Sequence, residues 1–145
     1  MEEKKVKSTE LIDNFENVTI LFADIVNFTA FSNSVTPSQV FTLLREVFTE
    51  FDKLCMEFQV YKLYTIGDCY VAMSLVDKYN RNITKEVSNV LSLAFSMIDV
   101  IMNIRQKDPN YRNFNMRIGI HNVFFSILKC FYLFLGKYNR RNCRN

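Results

Sequence analysis

The sequence has few of the residues that build zinc sites or disulfide frameworks. Its only histidine is His121, and its four cysteines, Cys55, Cys69, Cys130 and Cys143, show no CxxC spacing. A structural zinc site needs several cysteine or histidine ligands at characteristic short spacings. We therefore expect neither a zinc site nor a disulfide framework.

The N-terminus also lacks the apolar core of a secretory signal peptide. It begins Met1-Glu2-Glu3-Lys4-Lys5, which is charged throughout. A signal peptide would carry an uninterrupted apolar segment close to its basic start. The sequence therefore predicts a cytoplasmic location with reduced thiols.

A basic surface for nucleic acid is missing as well. The formal net charge is +3, from 18 Lys and Arg against 15 Asp and Glu. Much of the excess lies at the very end of the chain, and no basic face recurs along the predicted helices. Because nucleic-acid binding needs a concentrated basic patch, we expect no nucleic-acid partner.

What the chain does have is enough apolar residues for a core. It has 145 residues, of which 49% are hydrophobic and 14% aromatic. That length and composition are typical of one globular domain.

Strand and helix patterns alternate along the chain. The apolar run 18–23 predicts a buried strand. Thr36-Pro37 then predicts a helix start, followed by apolar residues at three- and four-residue steps to Cys55. A second helical pattern runs from Ile83 and stops at Asp108-Pro109, because the residue before proline avoids helical geometry.

The remaining segments predict strands. Residues 60–66 and 69–75 are rich in β-branched and aromatic residues, and Gly67-Asp68 between them indicates a hairpin turn. A last short strand is expected over 116–120. The order βαββαβ predicts an α+β, ferredoxin-like fold with helices layered on an antiparallel sheet.

Two aspartates stand where a carboxylate is costly unless it binds something. Asp24 ends the first apolar run, and Asp68 lies at the tip of the hairpin. Two such carboxylates on strand ends suggest a shared cation. Each alone has an ordinary alternative, since aspartate also favours helix entries and tight turns.

Three ordered motifs resemble the catalytic domains of class III adenylate and guanylate cyclases. Residues 15–29 (FENVTILFADIVNFT) are similar to the opening motif of that family. Residues 61–70 (YKLYTIGDCY) resemble its second motif and residues 116–121 (MRIGIH) its third.

The resemblance implies a reaction and a set of residues. A cyclase lets the ribose 3′-oxygen of a nucleoside triphosphate attack the α-phosphorus and expel pyrophosphate, with two Mg²⁺ or Mn²⁺ ions stabilising the oxygens involved. Asp24 and Asp68 would bind those ions with the backbone carbonyl of Ile25. The triphosphate would meet Arg117 and the turn formed by Asn27, Phe28 and Thr29.

The sequence departs from the family pattern at two positions, Asn27 and Tyr64. Asn27 stands where the phosphate turn usually carries glycine; asparagine tolerates a left-handed backbone but adds a side chain. Tyr64 stands where a base-reading half carries lysine for adenine or glutamate for guanine. A tyrosine is a degenerate base reader, so we expect a complementary cyclase half to complete a dimer.

The largest departure follows His121. The glycines, the base-selecting carboxylate and the asparagine and arginine motif of the family find no match, so the C-terminal part of the family fold is expected to be missing. We therefore expect a lead-in over 1–14, a partial cyclase domain over 15–121 and an apolar, basic tail over 122–145. Segment 123–135 is apolar and followed by basic residues, as a membrane span would be, but it is shorter than the roughly 20 residues of a span and contains Lys129. Interfacial contact or an exposed apolar tail is therefore favoured over a span.

The sequence thus predicts the metal-binding half of a purine nucleotide cyclase that acts on GTP or ATP in cyclic-nucleotide signalling, with guanylate slightly favoured. Its expected place is the cytoplasm, including the cytosolic face of a membrane within a larger cyclase. The alternative is a non-catalytic cyclase-like module that dimerises or binds nucleotide without turnover. On either hypothesis the chain alone is expected to have negligible activity.

Overall fold

The structure, a computed structural model, describes residues 12–75, 77 and 80–128, with side chains from residue 16 to residue 123 within those ranges. The chain divides into two compact units, Val18–Asn122 and the two chain ends, Met1–Asn17 with Val123–Asn145. Of the second unit, the structure describes only the strand segments 12–17 and 123–128. The expected lead-in 1–14 and tail 122–145 therefore lie largely outside the described residues.

The described elements form a four-stranded sheet with helices. Strand β2 pairs with β3, β3 with β1, and β1 with β4, and β3 runs antiparallel to both β1 and β2. This order confirms the α+β, ferredoxin-like expectation. In chain order the elements are β1 Ile12–Ile25, α1 Phe28–Ser34, α2 Pro37–Glu57, β2 Val60–Ile66, β3 Cys69–Ser74, α3 Ile83–Lys107, a 3-10 turn Pro109–Tyr111 and β4 Met116–Leu128.

Two strands are longer than the sequence pattern predicts. β1 begins before the apolar run 18–23, and β4 continues beyond residue 120 to Leu128. The extension of β4 covers a run rich in valine and phenylalanine, residue types that favour strands. The sequence pattern therefore located these strands but not their ends.

The core lies between α2, α3 and one face of the sheet. Leu21, Ala23 and Ile25 of β1 face α2 and α3 and belong to the main buried cluster. Since side chains alternate between the two faces of a strand, Phe22 and Asp24 project from the opposite face. The sheet thus has one face for the core and one on which Asp24 lies, called here the outer face.

Helix α2 begins as the sequence predicts. The Thr36 hydroxyl accepts a hydrogen bond from the backbone N–H of Gln39 at 3.3 Å, and the Gln39 side chain accepts one from the Thr36 backbone N–H at 2.9 Å. Pro37 occupies the first turn, where a missing N–H costs nothing. This capping box satisfies backbone N–H groups at the start of α2 and so fixes where the helix begins.

Among the described residues, α3 is the one helix long and apolar enough by composition to cross a membrane. Its buried side, which includes Val90, Leu93 and Met97, packs into the main core cluster. Its other side carries four exposed apolar side chains, those of Leu91, Phe95, Ile98 and Met102. These apolar residues raise the mean hydropathy of the helix. The core helix of a globular domain meets the same criterion, so the length and composition of α3 are weak evidence for a membrane span.

The turn between β1 and α1 contains a residue in the left-handed region. Asn27 has φ 56° and ψ 35° and precedes the first helical residue, Phe28. The strand end is held by a hydrogen bond from the Val26 N–H to the Asn115 carbonyl at 2.9 Å, and the first helical bond runs from the Phe31 N–H to the Asn27 carbonyl. Asparagine is among the few non-glycine residues that adopt this conformation at low cost.

The capping box of α2 leads to a stability prediction. Thr36→Ala should lower the free energy of unfolding by about 1 kcal/mol, because the Gln39 N–H loses its acceptor. Urea unfolding followed by circular dichroism measures this. Thr42→Ala, an exposed position inside the same helix, is the matched control and should change stability by less than about 0.5 kcal/mol. Equal effects of the two substitutions would show that the cap contributes nothing.

The left-handed turn leads to a second prediction. Asn27→Ala should destabilise the fold by about 1 to 2 kcal/mol, because a Cβ is disfavoured at positive φ, whereas Asn27→Gly should be neutral or slightly stabilising. Thermal or urea unfolding distinguishes the two. Asn103→Ala, in the exposed part of α3, provides a helical control that should not lose stability. Equal stabilities of the Asn27→Ala and Asn27→Gly variants would contradict the left-handed conformation.

Candidate metal and nucleotide site

The end of β1 and the beginning of β3 lie side by side. Ala23 pairs with Tyr70 in the antiparallel register. Asp24 directly follows Ala23 on β1, and Asp68 lies two residues before Tyr70 in the turn that leads into β3. Antiparallel pairing therefore brings two aspartates from separate motifs to the same edge of the sheet.

Arg117 of β4 lies against Asp24. Its Nε is 2.7 Å and one terminal guanidinium nitrogen 2.5 Å from the same carboxylate oxygen, Oδ2. The arginine side chain is 76% exposed and that of Asp24 27% exposed. An ion pair this accessible to water contributes only about 0 to 1 kcal/mol, so either partner can exchange it for another ligand at little cost.

Asp68 occupies the two-residue turn of the β2–β3 hairpin. Gly67, the other turn residue, has φ 57°, a conformation that glycine adopts without strain. Burial, and after it the negative charges of Asp24 and Asp68, raise the pKa of the neighbouring Cys69 thiol. In the register that pairs Ala23 with Tyr70, Asp24 lies beside Cys69, the residue that follows Asp68.

The described residues provide a small set of metal donors. They contain no group of three or more histidine, cysteine, aspartate or glutamate side chains arranged for a metal ion. Two aspartates with a backbone carbonyl, such as that of Ile25, nevertheless suit Mg²⁺, which is usually held by one or two carboxylates with water and substrate phosphates as further ligands. The donor set therefore fits a cation that binds together with a phosphate ligand.

The turn after Ile25 leads directly into the short helix α1. The first N–H groups of any helix lack partners within the helix, and at α1 these groups belong to the segment that follows Asn27. Thr29 is exposed, so its hydroxyl is accessible. Phe28 is different, because its side chain packs against the core cluster, at 6.4 Å between ring centroids from Phe31. Phe28 can therefore offer a ligand only its backbone.

Tyr64 reaches the outer face because of a β-bulge. Strand β2 has seven residues and β3 six, and the pairing shifts between Lys62 and Tyr64. Tyr64 consequently pairs with Val71, which pairs in turn with Phe22. Paired residues share a face of the sheet, so Tyr64 lies on the same face as Phe22 and Asp24.

The outer face thus carries most of the residues selected from sequence. Asp24 and Arg117 are in contact, Asp68 lies at the neighbouring strand edge, and Tyr64 shares the face at 41% exposure. Sequence reasoning missed Phe22, which is 44% exposed beside them. Phe22 lies in a continuous apolar run, and such a run does not indicate which face of the sheet a residue occupies. Its spacing of two residues from Asp24 could have shown that both lie on the same face, because side chains alternate along a strand.

Comparisons with known proteins show which family the chain resembles. The family model for the adenylate and guanylate cyclase catalytic domain matches residues 11–125. A guanylate cyclase alpha of Plasmodium falciparum is 40% identical over 124 residues, which is 83% of this chain and 3% of that protein.

Solved cyclase domains share the fold. A monomeric double mutant of the guanylyl cyclase domain of the RhoGC fusion protein from Blastocladiella emersonii has a TM-score of 0.66 and 26% identity, over 80% of this chain and 63% of that one. The guanylate cyclase domain of RhGC from Catenaria anguillulae, solved in complex with GTP, has a TM-score of 0.64 and 22% identity, over 80% of this chain and 67% of that one. The sequence motifs, the sheet order and these matches together show that the chain belongs to the adenylate and guanylate cyclase catalytic-domain family of class III.

Proposed function

We propose that the chain is the metal-binding half of a purine nucleotide cyclase, which forms a 3′,5′-cyclic nucleotide and pyrophosphate from a nucleoside triphosphate when it is paired with a complementary half. The observation that carries this proposal is the meeting of Asp24 and Asp68 at one sheet edge, with Arg117 in contact with Asp24. The chain spans only 3% of the Plasmodium relative. Activity, substrate and partner are therefore proposed here for this domain.

Asp24, Asp68 and the carbonyl of Ile25 would hold two Mg²⁺ or Mn²⁺ ions. Such ions, when bound, stabilise the attacking and leaving oxygens of phosphoryl transfer. Asp24 lies near the end of β1 and Asp68 in the tight turn before β3, so sheet pairing and the hairpin turn set the backbone at both positions before ligands arrive. Loss of either carboxylate should remove most of the site's affinity for the ions.

Arg117 and the turn after Ile25 would bind the triphosphate. A guanidinium presents several donors in one plane and matches phosphate oxygens well. Since the Asp24 pair is exposed and weak, Arg117 can leave Asp24 for a phosphate while a cation takes its place on the carboxylate. Asn27, Phe28 and Thr29 would add backbone N–H groups and one hydroxyl.

At the position of Tyr64, this half lacks the residue types with which the family recognises the purine base. Tyr64 lies on the correct face, but a phenol is neither the lysine nor the glutamate with which the family reads purines. We propose that the complementary half supplies the base reader and that GTP is slightly favoured over ATP, in keeping with the 40% identity to a guanylate cyclase. The proposed location is the cytoplasm.

Tyr64 also favours a second candidate function. A degenerate base-reading position suits a non-catalytic module that dimerises with a cyclase half or binds nucleotide without turnover. Intact Asp24 and Asp68 favour the catalytic role, because two carboxylates on neighbouring strands provide the oxygen ligands that divalent cations prefer.

The proposed function predicts activity only in a mixture. The chain combined with a cyclase half that carries a base reader should form cyclic nucleotide from GTP, and more slowly from ATP, in the presence of Mn²⁺. The chain alone should form almost none. Asp24→Asn and Asp68→Asn should each lower the rate of the mixture by about a hundredfold or more, as loss of one preorganised electrostatic group does.

Asp99→Asn is the control for that experiment, since Asp99 is an exposed carboxylate on α3. It should leave the rate unchanged. A folded mixture that binds nucleotide yet forms no product would support the non-catalytic module. Unchanged activity in Asp24→Asn and Asp68→Asn would contradict the metal role.

Replacing Arg117 should have opposite effects on the affinity for Mn²⁺ and on the affinity for GTP. Without nucleotide, Arg117→Gln should tighten Mn²⁺ binding by up to about fivefold, because a competing positive charge leaves Asp24. In the presence of Mn²⁺, the same substitution should weaken GTP binding by about tenfold or more, because a charge-assisted hydrogen bond to phosphate is lost.

Calorimetric titrations of Mn²⁺ and of GTP measure both effects on the same samples. Arg45→Gln removes an exposed arginine of α2 and serves as the charge-matched control. A loss of affinity for both ligands in Arg117→Gln would show that the arginine supports the site without exchanging partners.

A further inference from the structure

A group of polar side chains joins α2 to the β2–β3 hairpin on the core side of the sheet. The Tyr70 hydroxyl donates to Asp52 Oδ1 at 2.7 Å and lies 3.2 Å from the Cys55 sulfur. Lys62 Nζ lies 2.7 and 2.9 Å from the two oxygens of Asp52 and 5.1 Å from the centroid of the Tyr70 ring. The other three side chains thus converge on the tyrosine.

Both the ring and the hydroxyl of Tyr70 make close contacts. Its side chain is fully buried, with the ring edge-to-face against Phe51 at 5.4 Å and tilted against Phe48 at 5.5 Å. Burial, followed by the neighbouring Cys55, raises the pKa of the Tyr70 hydroxyl well above its usual range, so the group stays a neutral donor. Packing fixes the ring, and two polar partners fix its end.

The position of Tyr70 in the sheet links this group to the metal carboxylates. Tyr70 pairs with Ala23, which directly precedes Asp24, and it follows Asp68 by two residues on its own strand. A backbone shift at Tyr70 would therefore move both aspartates relative to each other. Tyr70 therefore offers α2 a route by which to act on both strand ends.

Stability alone does not explain why a hydroxyl is placed there. Phenylalanine would fill nearly the same volume without requiring a buried hydroxyl to find partners. The Asp52 and Lys62 side chains are 41% and 35% exposed, and ion pairs of that accessibility contribute little to folding. What the contacts do provide is a defined position of β3 against α2.

We propose that Asp52 and Tyr70 are positioning residues for the divalent-cation site at Asp24 and Asp68, acting through the backbone of β3. The inference rests on the proposed function, because that function supplies the cations. It adds a residue of α2, outside all three family-like motifs, to those that determine the geometry of the site.

Electron paramagnetic resonance titration of the full chain with Mn²⁺ alone tests the inference. Tyr70→Phe and Asp52→Asn should each raise the Mn²⁺ dissociation constant by about tenfold, the lower end of the range for groups behind metal ligands. The double variant should be no weaker than the single ones, because both remove the same contact. Glu50→Gln removes an exposed carboxylate from the same helix and should bind Mn²⁺ as the unmodified chain does.

Near-ultraviolet circular dichroism checks that each variant is folded, and Tyr70→Phe decides the matter if Asp52→Asn does not fold. Wild-type Mn²⁺ affinity in folded Tyr70→Phe, even with a lowered melting temperature, would overturn the positioning role and leave the proposed function intact. No Mn²⁺ binding by the unmodified chain, or no loss of binding in Asp24→Asn, would overturn the proposed function and the inference together.

Discussion

The antiparallel pairing of β1 with β3 is the constraint on which the rest of the site depends. Asp24 and Asp68 belong to separate motifs, and only the register that pairs Ala23 with Tyr70 brings them to one edge of the sheet. Because a shift of one residue would turn every side chain of a strand to the other face, this register also decides which side chains enter the core. The hydrophobic residues of β1 and β3 therefore fix the position of the carboxylates while they form the core.

The two faces of the sheet carry different groups of side chains. Leu21, Ala23 and Ile25 pack against the helices. Asp24 projects from the outer face, which also carries Tyr64, and Arg117 contacts Asp24 there. The Asp24–Arg117 pair is exposed and therefore weak, as the proposed exchange of its partners for cations and phosphate requires. Tyr70 belongs to the core face, and through its contacts with α2 we propose that it positions the carboxylates of the outer face.

Local signals in the sequence were sufficient for the elements with strong patterns. Thr36-Pro37 and the apolar periodicity after it predicted α2, Gly67-Asp68 predicted the hairpin, and Asp108-Pro109 predicted the end of α3; the structure confirms all three. The bulge that carries Tyr64 to the outer face could not be predicted, because it depends on which residues of β2 and β3 pair. The contact of Arg117 with Asp24 depends likewise on the adjacency of β4 and β1, which no local pattern encodes.

The central claim is that Asp24 and Asp68 bind divalent cations together. The most direct measurement is a crystal structure of the chain grown with Mn²⁺ and a non-hydrolysable GTP analogue, with anomalous scattering used to locate manganese. The account predicts manganese peaks between the two carboxylates and the triphosphate, with Arg117 moved from Asp24 to a phosphate oxygen. Bound nucleotide with the Asp24–Arg117 pair intact and no manganese at either aspartate would contradict it.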